Sequence, residues 1–283
     1  MYLSFAPTPL GIQTSLTGAL DLAARHGFEG VDSSSSQLAA LSAGEIAALA
    51  QQFEALNVRP GYFGLDPVVI SAPNEAWHNG VELLKTAAPV AKDLGYTRAI
   101  AVVLPFSETR PFAENFEFHL ARLGEIEPIL AENGVSLGLE YVAPLTRRAP
   151  YPHHFIHDLR GALELIAAAK SSNLGLLLDS FHWFCAGESG AQIAALKPSQ
   201  IVAVHLNDAI KNRPRDEQVA FERELPGESG EIDLKSFIQA LKTLGYDGPL
   251  TCEPMNKVLN ALNDDEATAR TFAAMQKVTS LAP

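Results

Sequence analysis

The chain has 283 residues, 47% of them hydrophobic and 19% charged, with no low-complexity break. One large core fits that length, because α/β barrels run to roughly 250 residues as one domain. A formal net charge of −12 and a pI near 5.1 argue against nucleic acid as a partner, since neutralising a phosphate backbone requires a basic surface. Met1 leads directly into YLSFAP, a strand-like run unlike the charged and apolar regions of a secretion signal. No apolar run approaches the ~20 residues of a membrane span, so a cytoplasmic location with no membrane partner is expected. Cys185 and Cys252 are too few for a disulfide framework and neither lies in a C-x-x-C pair. Both are expected as free thiols.

From the N-terminus the pattern is strand then helix, repeated. Tyr2–Ala6 reads as a strand and Ser15–His26 as a helix ended by Gly27. Phe28–Asp32 is the second strand, and the serines 33–36 after it read as a loop. Ser42, with Glu45 three residues on, makes a capping-box pattern for a helix to about Asn57. Val58–Phe63 is the third strand. Trp77–Leu94 has helical spacing up to Gly95, with Pro89 as a kink point, and Thr97–Leu104 is the fourth strand. Asn115–Asn133 is a helix expected to bend or break at Pro128. Val135–Val142 is the fifth strand, and Leu145–Asp158 is a polar connection carrying Arg147, Arg148, His153, His154 and His157.

His157–Ser171 is helical and leads to the sixth strand, LGLLLD, which ends at Asp179. A short helix at Ala191–Leu196 precedes the seventh strand, Ile201–Asp208. Asp208–Gly230 is the longest loop, Asp233 caps a helix running to Leu244, Pro249–Pro254 is the eighth strand, and Asp264–Leu281 closes the chain. Eight alternations predict an α/β protein, a single-domain (β/α)₈ TIM barrel over residues 1–283, with its site at the C-terminal ends of the strands. A doubly wound sheet is the alternative, but the first βα turn lacks a G-x-G-x-x-G run.

Four of these strands carry a metal-binding residue type at or near their ends: Glu140, Asp179, His205 and Glu253. Charged groups are seldom buried without a partner, so four at successive strand tips should converge, and one divalent cation could satisfy them all. Asp179 alone could equally be a helix cap, with His182 on a loop. Three carboxylates and one imidazole suit Mn²⁺ or Mg²⁺, also admit Co²⁺ or Zn²⁺, and lack the thiolates of a structural zinc centre. A cation with open positions could hold both oxygens of a hydroxy-ketone and stabilise an enediolate, while flanking carboxylates move the proton. Trp183 and Phe184 are expected to pack beneath the loop after the sixth strand. The Pro226–Gly230 turn could cradle an anion or serve as a lid hinge.

These four residues, with D-S-F-H at 179–182 and R-E-L-P-G-E at 223–228, resemble the xylose isomerase-like TIM barrels. Within them the chain is similar to the sugar phosphate isomerase/epimerase group that includes inosose isomerases and ketose 3-epimerases. The resemblance implies one divalent cation on Glu140, Asp179, His205 and Glu253, with Glu140 and Glu253 also moving protons on opposite faces of the substrate. It implies that His182 binds a substrate oxygen and that Arg223 holds substrate hydroxyls from the long loop, apart from the ligands. Seventeen residues separate His205 from Arg223, longer than in ketose epimerases and closer to the inosose isomerases. The activity implied is a metal-dependent isomerase or epimerase of a keto-sugar or keto-cyclitol, with a homo-oligomer compatible. A dehydratase or lyase that loses a β-hydroxyl competes, as does a non-catalytic sugar-binding protein. An endonuclease IV-type phosphodiesterase is disfavoured, because VRPGYF and TRAIAVVL lack the histidines of a multi-zinc cluster.

Overall fold

In the computed structural model, which describes residues 1–66 and 69–281, the alternation of strand and helix closes on itself. Ten strands are described, numbered along the chain. β1 (Tyr2–Phe5), β2 (Gly30–Ser34), β3 (Arg59–Gly64), β4 (Arg98–Val103), β6 (Ser136–Tyr141), β8 (Leu174–Asp179), β9 (Ile201–His205) and β10 (Pro249–Thr251) form a closed barrel in that order. Every neighbouring pair is parallel, and β10 returns to β1 with Leu250 beside Leu3. The remaining two, β5 (Phe106–Ser107) and β7 (His153–His154), make a short antiparallel ribbon joining the loops after β4 and β6.

The long helices α1 (Leu16–His26), α3 (Ala43–Leu56), α4 (Asn74–Leu94), α5 (Phe112–Glu132), α7 (Leu159–Ala168), α10 (Leu234–Leu244) and α11 (Asp264–Thr279) surround the barrel. Shorter α2 (Ser35–Ala39), α6 (Leu145–Arg148), α8 (Ser180–Ala186) and α9 (Gly190–Ala194) lie in connections. The local signals operate as their chemistry requires. Ser42 and Glu45 complete the capping box of α3, and Asp233 caps α10 by accepting from Ser236 N. Gly27 ends α1 at φ 89°, a left-handed conformation in which a side chain would be strained. That turn also takes up Phe28, whose N–H returns to Ala23 O. β2 therefore starts at Gly30 and not at Phe28.

Three expectations change. Pro128 does not break its helix, since α5 runs uninterrupted through it for 21 residues, as α4 does through Pro89. The serine run after β2 is not a loop: Ser34 caps α2 by accepting from Gln37 N, and Ser35 Oγ donates to Gly64 O. The polar connection after β6 contains α6 and β7.

β8 is buried at all six positions, which explains its unbroken apolar run. One large apolar cluster fills the space between sheet and helices. A small one inside the barrel, Tyr62, Leu177 and Ala203 with Ile100 against them, forms a floor. Asp32 lies in the same interior and accepts from Ser4 Oγ (2.6 Å), Thr251 Oγ1 (2.7 Å) and Tyr62 N (3.1 Å). Burial pushes its carboxyl up to about 6 against those hydrogen bonds. A Cβ on Gly61 would stand 1.9 Å from Asp32 Oδ1, so only glycine lets β3 pass there. Among the described residues, no helix is long and apolar enough to cross a membrane.

Candidate active site

Strand geometry turns alternate side chains to one face, so Leu177 and Ala203 in the floor set Asp179 and His205 above them on the inner wall. Glu140 on β6 and Glu253, two residues past β10, arrive at the same level. The four offer ligand atoms that all lie within 4.8 Å of one another. His205 Nδ1 stands 3.6 Å from Glu140 Oε1, 3.6 Å from Asp179 Oδ2 and 3.5 Å from Glu253 Oε2. His205 Nδ1 and Glu140 Oε1 are buried without a hydrogen-bond partner. Ligand atoms about 2.1 Å from a shared ion at tetrahedral angles stand about 3.4 Å apart. The spacing and the two unpartnered atoms therefore both fit a divalent cation.

The local charges oppose one another. Burial pushes the Glu140 carboxyl up to about 7, with nearby His205 opposing and Glu253 reinforcing that rise. Burial acts the same way on Asp179, but Arg223, His205 and His182 outweigh it and hold Asp179 well below the carboxylate range. Glu253 is likewise lowered by His205 and Arg223 against its burial. For His205 burial disfavours the charge, yet Tyr62 and the surrounding carboxylates raise it well above the usual imidazole value. Burial pushes His182 down to about 4.

Arg223 is not apart from this group. It is 3% exposed, and its Nη1 donates to Asp179 Oδ2 (2.9 Å), Glu253 Oε2 (3.0 Å) and the Glu253 carbonyl (3.2 Å). The cause is tertiary. Asp208 and Glu224 exchange backbone hydrogen bonds at 2.9 Å, which folds the long loop back over the strand ends. The chain neighbours of Arg223 are engaged elsewhere: Glu222 pairs with Arg213, and Glu224 accepts from Asn256. His182, in the first turn of α8, sits with Nε2 3.4 Å from Arg223 Nη2 and 3.9 Å from Glu140 Oε1. Asp179 is at once a cluster member and the cap of α8, since its Oδ1 accepts from Phe181 N and His182 N.

Two supporting residues escaped the sequence analysis. Tyr62 Oη lies 2.8 Å from His205 Nε2, which leaves Nδ1 to face the carboxylates. Asn207 is fully buried, donates from Nδ2 to Asp179 Oδ2 (3.1 Å) and accepts Glu253 N (2.9 Å). Asn207 was detectable, standing two residues after His205 and so on the same face; Tyr62 looks like any core tyrosine in an apolar strand. His153 and His154 are in the ribbon and His157 Nδ1 meets Phe155 O, so none joins the cluster. Trp183 packs edge-on against Phe237 of α10. In the Pro226–Gly230 turn the N–H groups of Ser229 and Gly230 are held by Asp208 Oδ2.

Beside Glu253 and Tyr62 lies a cavity of about 340 Å³ whose polar lining includes Thr8, Asp32, Ser33, Ser34, Gln37 and Asp66. Ala6, Pro7, Pro9, Ile100 and Met255 supply the apolar part of its wall, and no lysine or arginine is among the lining residues.

A curated inosose isomerase from Bacillus velezensis is 23% identical over 249 residues, 85% of this chain and 83% of its own length. A ketose 3-epimerase from Arthrobacter globiformis is 26% identical over 194 residues, 66% of this chain and 57% of that protein. A crystal structure of the IOLI protein with a bound zinc atom superposes with a TM-score of 0.82 at 23% identity, over 99% of this chain and 98% of the other. The family model described as Xylose isomerase-like TIM barrel matches residues 20–278, and with the closed parallel barrel and the site at its strand ends, the chain belongs to that family.

Proposed function

We propose that the protein is a divalent-metal-dependent isomerase or epimerase that moves a proton beside the carbonyl of a keto-sugar or keto-cyclitol. The observation that carries this is the convergence of Glu140, Asp179, His205 and Glu253 within 4.8 Å at the active end of the barrel. The inosose isomerase and ketose 3-epimerase relatives support the reaction class. Those four residues hold the ion, with Mn²⁺ the first choice for three carboxylates and one imidazole, and Mg²⁺, Co²⁺ and Zn²⁺ also suited.

When bound, the cation supplies positive charge against the negative charge that develops on the substrate oxygens. The chain's own residues do the rest. Glu140 and Glu253 take and return the proton on opposite faces of an enediolate. Arg223 holds Asp179 and Glu253 in place through Nη1 and turns Nη2, with His182 Nε2 beside it, toward substrate hydroxyls. The neutral and acidic lining of the adjoining cavity favours an uncharged polyhydroxy ketone over a phosphorylated one, because no cation there would meet a phosphate.

The test is metal analysis of the purified protein, followed by incubation of the metal-loaded enzyme with ketoses and inososes in D₂O. Stoichiometric metal, exchange of the α-proton and an isomerised product are expected. Loss of water from the substrate would reassign the protein as a dehydratase. Full activity in EDTA would overturn the metal assignment.

A further inference from the structure

Between the loops that follow β3 and β4 a second cavity opens, of about 420 Å³. It shares no lining residue with the cavity beside Glu253. Its walls include Phe106 and Phe118, and its polar groups include Ser107, Arg110 and Asn115, with the exposed Glu108 also lining it.

Two guanidinium groups meet here. Arg110 lies 3.7 Å from the centre of the Phe118 ring and Arg122 lies 4.2 Å from the same centre. Arg110 donates from Nε to Asn115 Oδ1 at 3.1 Å, and neither of its Nη atoms has a hydrogen bond or ion pair among the described residues. Arg122 is 3% exposed and gives its donors to neutral acceptors, the Ile70 and Ala72 carbonyls and Asn74 Oδ1. The acid nearest in influence to Arg122 is Glu125, and its Oε2 accepts from Trp77 Nε1. In a chain of net charge −12, two neighbouring cations without a paired carboxylate among the described residues create a local field that favours an anion.

A second observation is independent of that charge. Asn115 is 1% exposed, and because its Oδ1 accepts from Arg110 the amide orientation is fixed, leaving Nδ2 buried with no partner. A buried donor left unpaired is destabilising, and an acceptor brought by a ligand would remove that penalty. The backbone adds donors of its own. α4 and α5 both begin beside this cavity, after Pro73 and Pro111, and neither has a side-chain cap. Uncapped first turns of long helices favour negative charge. Ser107 Oγ accepts from the backbone N–H of Thr109 and Arg110, so its own proton is free to be donated.

We propose that this cavity binds a small organic oxyanion, a carboxylate or phosphate on a compact body, with Arg110, Asn115 and Ser107 as donors and Phe106 and Phe118 as the apolar walls. The site is separate from the metal cluster and does not depend on the reaction proposed above.

The experiment is calorimetric and thermal titration of the metal-loaded protein with sulfate, glycerol phosphate and succinate at constant ionic strength. Saturable binding of at least one of them is expected, with Kd rising tenfold or more in both Arg110→Gln and Asn115→Asp and unchanged in the surface control Lys85→Gln. A preference for glycerol phosphate assigns a tetrahedral anion, and a preference for succinate a planar one. Unliganded melting curves of each variant show whether it is folded, and Asn115→Asp stands in if Arg110→Gln is not. No saturable binding, or equal loss in Lys85→Gln, would overturn the proposal.

Discussion

At the ends of β6, β8, β9 and β10 the side chains are charged, largely buried and gathered within 4.8 Å of one another, whereas at the ends of β1, β2 and β3 polar and apolar side chains together line a cavity. In the first half every group depends on its neighbours: Arg223 joins Asp179 to Glu253, Asn207 joins the same two residues, and Tyr62 orients His205. In the second half the contacts are between neutral groups, as where Ser33 Oγ donates to Gln37 Oε1. The difference separates two tasks. Buried charges must be fixed in place because desolvation is costly unless each is compensated, while hydroxyl recognition needs only positioned neutral groups. Changes to the cluster or to the groups that hold it should therefore act on chemistry, metal binding or stability. Changes in the second half should alter substrate binding alone.

The sharpest break of this division is Glu253→Gln. The amide keeps a ligating oxygen but accepts no proton, so metal should remain bound while turnover falls by ~10²–10⁴-fold. Metal analysis with α-proton exchange by NMR checks it, and normal turnover in the metal-loaded variant would leave Glu253 a ligand only.

Arg223→Leu comes next. Removing the guanidinium leaves two carboxylates buried without their partner, a loss of about 3–5 kcal/mol by the usual cost of breaking a buried pair. Metal-free protein should melt much lower, with part of the loss restored by added Mn²⁺. A variant that melts like the parent in both states would show that the pair is not structural.

Tyr62→Phe tests whether the floor supports the cluster. Partners of metal-binding histidines typically contribute 10–100-fold to affinity, so metal binding should weaken by that order with kcat at saturating metal little changed. Competition with a fluorescent chelator measures it.

The proton balance gives a smaller and graded effect. Without metal, Glu140 is raised to about 7 and His205 is raised above its usual value, so both carry protons at pH 6 that a cation must displace. Metal affinity should rise with pH through neutrality, by up to about tenfold per unit for each proton released. Calorimetry in buffers of different ionisation enthalpy reports the protons; uptake at pH 6 with none released would contradict the assignment of His205 as a ligand.

Smallest is Gln37→Ala, on the polar side. Losing one neutral hydrogen bond costs about 0.5–1.5 kcal/mol, so KM should rise a few-fold with kcat and metal content unchanged. A fall in metal content here would erase the distinction between the two halves.

Chain order already carried most of the fold. Gly27, Gly95 and Gly245 end helices with positive φ as their positions imply, and the eight strands appear where the apolar runs stand. What slipped was local. A proline inside an otherwise helical stretch looks like a break, but α4 buries an apolar stripe from Trp77 to Leu94 and α5 buries Leu123, Ile126 and Leu130 around Pro128, burial that outweighs one missing hydrogen bond at either proline. A serine run looks like a loop, but Ser34 is a cap.

By itself the sequence determined the barrel and the strand tips that carry Glu140, Asp179, His205 and Glu253, because strand periodicity and parallel pairing leave little freedom in where an inward-facing residue ends up. Arg223 was decided only by tertiary structure. It lies on a loop whose path depends on the Asp208–Glu224 pairing and on Asp208 holding Ser229, Gly230 and Ile232. Spacing along the chain says nothing about such a path, since a loop is placed by long-range hydrogen bonds and not by a repeat. The second cavity was equally invisible, because Arg110, Asn115 and Arg122 are brought beside the loop after β3 only when α5 packs next to α4.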